Sequence, residues 1–412
     1  MLGSLRQLHW SIYALSLASG VIMTGFMLML PILPEYAGQL RFNEFEIGLL
    51  VAAFFLGRVS FQFPLGAVSD QVGRKLIMTG SLLLFALATS AFVLTTDPWL
   101  MIALRLGQGI ASAGFVVGFQ SYVNDLTPTE FRGLAHGINS SAINAGVIVG
   151  PVIGGTLTQA YSIQAPFWVG GGLGAACFLL SLTIPDIPAA RRKAAAARLT
   201  MREKLDSLLR PALTAPAASL SLIHFLQMMS LAILFTAAPI LTAELLSWSA
   251  TDIALALAAG GAAGAVSSPF LGRLADRRGA RVWVMAAGLT IMALQSLIIF
   301  IHPGTAFTML GFVIGGAGTP AYFNAFFSLV GDVTLKTERG AVSGFIGSSA
   351  EWGSILGSSL VAPLLWREVS VRAPMGVSVL ILLTTVLVAL AVRSLLQRRM
   401  DAVRKAESGQ VA

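Results

Sequence analysis

Long stretches of this chain carry almost no charge, and they recur from one end to the other. Windows of twenty or more residues hold at most one ionisable side chain, while short segments between them hold most of the charge. A helix needs about 20 residues to cross some 30 Å of hydrocarbon, so each window is long enough to span a bilayer. Of the 412 residues, 56% are hydrophobic and 11% are charged, against the roughly 25% charge of soluble domains. A water-exposed fold this apolar would present large sticky patches, so the composition points to an integral membrane protein.

Twelve spans can be drawn, at about 10–33, 46–65, 76–95, 99–121, 133–156, 165–184, 218–241, 251–271, 281–301, 305–330, 341–365 and 374–395. The first is read as a span and not a signal peptide, because its apolar part is long and no small-residue cleavage site precedes a polar domain. An even count places both termini on one side. Of the 27 Lys and Arg residues, Arg41, Arg367 and Arg372 fall on the opposite side and Arg58 and Arg105 fall within spans, which leaves 22 on the side of the termini. That bias marks the termini as cytoplasmic. It also explains the formal charge of +8 as topology, so no nucleic-acid partner is expected. A single cysteine, Cys177, excludes an intrachain disulfide, and four scattered histidines give no metal-ligand spacing. With no nucleophile–base pair and no nucleotide loop, neither an enzyme nor a bound cofactor is expected.

The chain repeats itself. Gly66–Lys75 reads GAVSDQVGRK, and Gly272–Arg281 reads GRLADRRGAR. Gly66, Asp70 and Gly73 recur as Gly272, Asp276 and Gly279, each 206 residues later. After the fourth span, Asp125 begins a segment whose Asp, Thr, Arg and Gly recur from Asp332, after the tenth, at an offset of 207. Both pairs follow an even-numbered span, so the halves have parallel topology. The expected organisation is an N-terminal six-helix bundle at 1–184, a cytosolic linker at 185–217 and a C-terminal bundle with a short tail at 218–412. The linker holds ARRKAAAARLTMREKLDSLLR between Pro188 and Pro211, which predicts an amphipathic helix along the membrane face. In the repeated turn, an acid at a helix end, close-packing glycines and the cations Arg74, Lys75 and Arg281 form a latch suited to alternating access. A static loop brace is the competing reading. In the fifth span, Gly146, Gly150 and Gly154 recur every four residues and expose a smooth face, and Pro151 frees a carbonyl and can bend the helix. This suits a helix at the interface between halves; simple tight packing is the alternative.

The turn G-x-x-x-D-x-x-G-R-K resembles the loop signature of the major facilitator superfamily, and the twelve spans and parallel halves agree with it across the chain. Arg105-Leu-Gly-Gln108-Gly109 resembles that superfamily's R-x-x-Q-G motif. Gly146 to Gly155, with Pro151, resembles the G-x-x-x-G-P-x-x-G-G motif of its antiporters, especially twelve-span drug:proton exporters. The resemblance implies an all-α membrane fold of two pseudo-symmetric six-helix bundles, with the first, fourth, seventh and tenth spans lining the pathway.

Three ionisable residues fall deep within spans: Arg58, Arg105 and Glu351. Such charges are costly in a bilayer and mark function by default. Glu351, near the midplane of the eleventh span, is the first choice for proton coupling, with a structural ion pair as the alternative. The resemblance brings the second and eleventh spans together, which would let Arg58 pair with Glu351 in one state. Arg105 is a relay residue by resemblance and, by electrostatics alone, a binder of anionic groups. Two intramembrane arginines and one acid favour anionic, zwitterionic or neutral amphiphiles over strongly cationic drugs. Substrate-binding candidates are Thr24, Phe26, Phe119, Gln120, Asn139, His224, Gln227, Asn324 and Trp352. His224 lies early in its span, where snorkelling toward the loop competes with a place in the cavity.

The expected function is proton-coupled export of small amphiphilic molecules by alternating access, from a monomer in a bacterial inner membrane. An importer of an organic anion or nutrient, a lipid or lysolipid transporter, and a membrane sensor or scaffold are the alternatives.

Overall fold

The computed structural model describes residues 8–186, 213–275, 280–335 and 338–407. The linker helix expected within 185–217 falls on 187–212, outside the described residues. All regular structure among the described residues is helical. The chain divides into two compact units, one of Met1–Ala197 with Trp248–Ala258, the other of Arg198–Ser247 with Ala259–Ala412.

In the first unit, α1 (Trp10–Met27) is followed by a 3-10 turn at Leu30–Ile32 and a short helix, α2 (Leu33–Gly38). Pro31 and Pro34 are the second residues of these last two pieces, within the first turn, where a missing N–H breaks no bond within the helix. The remaining helices are α3 (Glu44–Val72), α4 (Arg74–Ala91), α5 (Pro98–Leu126), α6 (Thr129–Ala160) and α7 (Ala165–Leu182). Local chemistry sets their ends. At the start of α3, the Glu46 amide donates to Asn43 Oδ1 at 3.0 Å and the Asn43 amide donates to Glu46 Oε2 at 2.9 Å, a reciprocal cap. Between α3 and α4 the chain turns on one residue, Gly73, with φ 118° and ψ 146°, a conformation open in practice to glycine alone.

Packing in this unit joins α1 to α6 and α7, α3 to α5, and α4 to α5 and α7. The glycine stripe of α6 makes the first of these contacts. A Cβ on Gly150 would lie 2.6 Å from Met27 Cβ and 2.8 Å from the Thr24 carbonyl oxygen. One on Gly146 would meet the Gly20 carbonyl, and one on Gly154 would run into the Leu28 carbonyl oxygen. Gly155 alone turns elsewhere, against Ala250 and Ala254. The stripe therefore seats α1 of the same unit, where the sequence suggested an interface between halves. Spacing every four residues shows that a helix is closely approached, but not by which neighbour. Gly154→Val is expected to lower the thermal midpoint of the detergent-solubilised protein, since overpacking costs about 1–3 kcal/mol and a backbone carbonyl cannot step aside. A midpoint equal to wild type would contradict this seam.

The second unit repeats the plan. It contains α8 (Ala215–Leu246), α9 (Ala250–Ala275, whose first turns belong with the first unit), α10 (Arg281–Ile301), α11 (Thr305–Val333), α12 (Arg339–Leu356), α13 (Ala362–Glu368), α14 (Ala373–Ala391) and α15 (Arg393–Glu407). Here α8 packs on α12 and α14, and α10 on α11 and α14, as α1 packs on α6 and α7, and α4 on α5 and α7, in the first unit. Gly353 and Gly357 meet the carbonyls of Phe225 and Met229, so α12 lies on α8 as α6 lies on α1.

Eleven of the described helical segments are long and apolar enough to cross a membrane. The segment expected at 341–365 is helical but less apolar, diluted by glycines, serines and Glu351, and a π-turn at Gly357–Val361 joins α12 to α13. The tail, read from sequence only as short and cytosolic, contains the 15-residue helix α15.

Candidate functional site

The repeated turns form matched ion pairs within their own units. Arg74, the first residue of α4, places Nε 3.2 Å from Asp125 Oδ2 at the end of α5, with side chains 8% and 18% exposed. Arg281, the first residue of α10, pairs with Asp332 at the end of α11. Both members recur 207 residues apart, so the duplicated unit is the pair itself. Around the first pair, cations close the carboxyl ends of α7 and of α5 itself. Lys75 Nζ donates to the Leu182 carbonyl at 2.7 Å, and Arg132 donates to the carbonyls of Asn124 at 2.7 Å and Thr127 at 3.2 Å. Gly66 and Gly272 lie beside Val117 and Asn324, equivalent positions on α5 and α11. This supports a brace within each unit. The side chain of Asp70, and all of Asp276 and Gly279, lie outside the described residues. Asp125→Asn removes the Asp125 charge that Arg74 meets at 3.2 Å. It is expected to cost toward the lower end of the roughly 3–5 kcal/mol seen on breaking buried pairs, read as a fall in thermal midpoint. Combining it with Arg74→Gln should recover part of that loss, and strict additivity would show the pair to be uncoupled.

Arg105 is 0% exposed, inside α5. Its Nη1 donates to Gln108 Oε1 at 2.8 Å and its Nη2 to the Phe26 carbonyl at 3.2 Å. Gln108 Nε2 in turn donates to Thr89 Oγ1 at 2.9 Å, and Thr89 passes its own proton to the Phe85 carbonyl at 2.7 Å. The guanidinium lies over the rings of Phe26 at 5.0 Å and Phe54 at 5.6 Å, and Tyr36 is within electrostatic reach. Arg58, half-buried on α3, sits 6.0 Å from the centroid of the same Phe54, so one ring serves two arginines. Among the described residues no carboxylate pairs with Arg105. A buried cation thus rests on carbonyl oxygens and aromatic faces.

In the second unit, His224 is buried, its Nδ1 2.9 Å from the Tyr322 hydroxyl and its ring stacked 4.5 Å from Phe326. Snorkelling is therefore corrected: α11 covers this face of α8 with aromatic rings. Gln227, one turn on, is 0% exposed, and neither amide atom has a hydrogen-bond partner among the described residues. A cleft of about 370 Å³ is lined by Gly272, Phe323, Asn324, Phe327 and Ser328, with Asn324 Nδ2 3.3 Å from the Ser268 carbonyl. Glu351, on α12, is 9% exposed, and its neighbour Trp352 is 49% exposed.

The other candidates divide. Thr24 donates to the Gly20 carbonyl at 2.9 Å and packs under Gly150, so its hydroxyl is occupied by its own helix. Phe26 and Phe119 are buried, the first beneath Arg105 and the second between Phe115 and His136. Gln120 is exposed, and Asn139 is half-buried with Oδ1 unpartnered among the described residues. Sequence reasoning did not foresee the Arg74–Asp125 and Arg281–Asp332 pairs, although the shared 207-residue offset of both members was the signal that could have found them.

Repeated helical units with ion-paired turns, and ionisable side chains sunk in apolar spans, are the architecture of a secondary transporter. The chain belongs to the Major Facilitator Superfamily, whose sequence profile matches residues 15–219 and again 220–411. It is 24% identical over 378 residues to the quinolone resistance protein NorA of Staphylococcus aureus, covering 90% of this chain and 93% of that one. It is 30% identical over 182 residues to an uncharacterized transporter of the superfamily from Methanocaldococcus jannaschii, covering 44% of this chain and 47% of the other. The fold is similar to the inward-facing, unoccupied structure of a bacterial homologue of the human lysosomal transporter Spinster, with TM-score 0.80 and 16% identity over 95% of this chain and 98% of that one. It is also similar to the human organic anion transporter MFSD10, with TM-score 0.69 and 18% identity over 92% and 98% of the two chains. The protein is a multi-pass membrane transporter of small molecules, not an enzyme.

Proposed function

We propose that this protein exports small amphiphilic organic molecules in exchange for protons, by alternating access, across a bacterial cytoplasmic membrane with both termini inside. The observation that carries the reading is the likeness to a quinolone resistance protein along 90% of the chain. The G-x-x-x-G-P-x-x-G-G stripe of α6 and a nearly buried acid, Glu351, support it. In this reading Glu351 carries the proton, while Arg58 and Arg105 are fixed charges. The paired turns act as latches in addition to bracing their own units. The pathway closes within one chain, which works as a monomer, and 185–217 tethers the bundles at 1–184 and 218–412.

A second reading has its own support. Arg105, buried with no carboxylate beside it among the described residues, would suit an organic anion, and import of one is the main alternative. Lysolipid movement is the third. Liposomes holding the purified protein, with a pH gradient imposed in either sense, separate these. A zwitterionic fluoroquinolone should accumulate only in liposomes that are acidic inside. Accumulation of an aromatic carboxylate only with the gradient reversed would instead establish proton-linked import of an anion, and overturn the export reading.

A further inference from the structure

The tail helix α15 has two faces of different chemistry, and only one of them is used by the fold. Leu396, Arg399, Met400 and Val403 recur at helical spacing and turn inward. Arg399 fixes the docking, with Nε donating to the Val333 carbonyl at 3.1 Å and Nη2 lying 3.5 Å from Glu338 Oε2. This inward face is pinned to the end of α11 and the start of α12, so the helix cannot roll, and its other face is set outward. Among the described side chains, that outward face carries the exposed Arg393, Arg398, Arg404 and Lys405 against one exposed acid, Asp401, which Gln397 meets at 3.5 Å. Among the described residues no carboxylate pairs with Arg393, Arg398 or Arg404.

The location decides the partner. α14, a membrane span, ends at Ala391, and α15 begins two residues later. Arg393 lies 4.9 Å over the ring of Trp283, which is 51% exposed near the start of another span, α10. A half-exposed tryptophan at the mouth of a span marks the headgroup level of a bilayer. The linker at 187–212 does not complement this face, since it holds seven cations and two acids of its own.

We propose that the outward face of α15 binds anionic phospholipid headgroups of the leaflet in which α14 ends, with Arg393 on Trp283 as the anchor and Arg398 and Arg404 as further contacts. Cations near an anionic surface contribute about 1 kcal/mol each, so three of them correspond to roughly a hundredfold in affinity. This inference does not depend on substrate or direction of transport.

The test is native mass spectrometry of the full chain, released from detergent with added phosphatidylglycerol or phosphatidylcholine. The wild type should retain phosphatidylglycerol in preference to phosphatidylcholine. The triple variant R393Q/R398Q/R404Q should bind phosphatidylglycerol about a hundredfold more weakly, while the corresponding triple lysine variant keeps most of the preference. The thermal midpoint of the glutamine variant in phosphatidylcholine should stay at the wild-type value, because Arg399 and the inward face are intact. If that variant unfolds, Ala402→Glu, which adds an acid to the exposed face alone, should reduce phosphatidylglycerol retention in its place. Equal retention of both lipids by the wild type, or undiminished phosphatidylglycerol retention by the folded glutamine variant or by Ala402→Glu, overturns the proposal.

Discussion

Arg105→Lys should reduce transport to background although it preserves the charge. The guanidinium does three things at once in a site closed to water. It donates from separate nitrogens to Gln108 Oε1 and the Phe26 carbonyl, and its Cζ lies over the rings of Phe26 and Phe54. An ammonium is a compact point charge, and it cannot span both acceptors while keeping its place over two rings. Each hydrogen bond from a charged donor is worth about 1.5–3 kcal/mol, so losing even one, together with the stacking, costs about 3 kcal/mol. The uncompensated ammonium then pulls on its surroundings, and the displaced groups belong to three helices: Phe26 on α1, Phe54 on α3 and Gln108 on α5. The measurement is uptake into liposomes beside the thermal midpoint in detergent. Gln108→Leu, which removes one acceptor and releases Thr89, should fall between wild type and Arg105→Lys. Wild-type uptake by Arg105→Lys would show that charge alone matters here and that the fork geometry is incidental.

Much of the scaffold was legible because hydrocarbon imposes it. Apolar windows of one span length leave few choices of fold, and eleven of the twelve reappear as apolar helices. The remaining segment, 341–365, is helical too, but Gly353 and Gly357 serve packing against α8, and its glycines, serines and Glu351 make it less apolar than the rest. The duplication was visible as residue offsets, while its physical content, an Arg–Asp pair in each unit, was not, because the partners lie 51 residues apart in the chain. The glycines of α6 showed a close approach, but Gly146, Gly150 and Gly154 face α1, and glycine spacing has no means of naming its neighbour. Polarity marks His224 and Gln227 as cavity candidates, and both are buried, His224 against Tyr322 and Phe326. The helix α15 is hard to see in the sequence, because a short charged segment reads as a tail until Leu396, Met400 and Val403 fall on one face.

Glu351→Gln should separate coupling from movement, and that gives it the widest contrast of any substitution in the chain. Under the proposed exchange, the acid must be charged in one part of the cycle and neutral in another. Glutamine matches the shape of the neutral form and is fixed in it. Net flux driven by a pH gradient needs both forms and should fall to background. Substrate binding in detergent, which needs only one form, should change by no more than about twofold, or roughly 0.4 kcal/mol. Exchange of labelled for unlabelled substrate across the liposome, with no net proton movement, should persist, because the neutral carrier can still turn over loaded. A static structural role predicts a different pattern: a carboxylate that only holds its surroundings together would, on removal, lower the thermal midpoint and impair all three readouts together. Glu351→Asp adds the complementary arm, since it keeps the ionisable group and should retain part of the driven flux. Driven flux undiminished in Glu351→Gln would remove this acid from the coupling mechanism and leave the proton with another group, because no glutamine can carry one through the cycle.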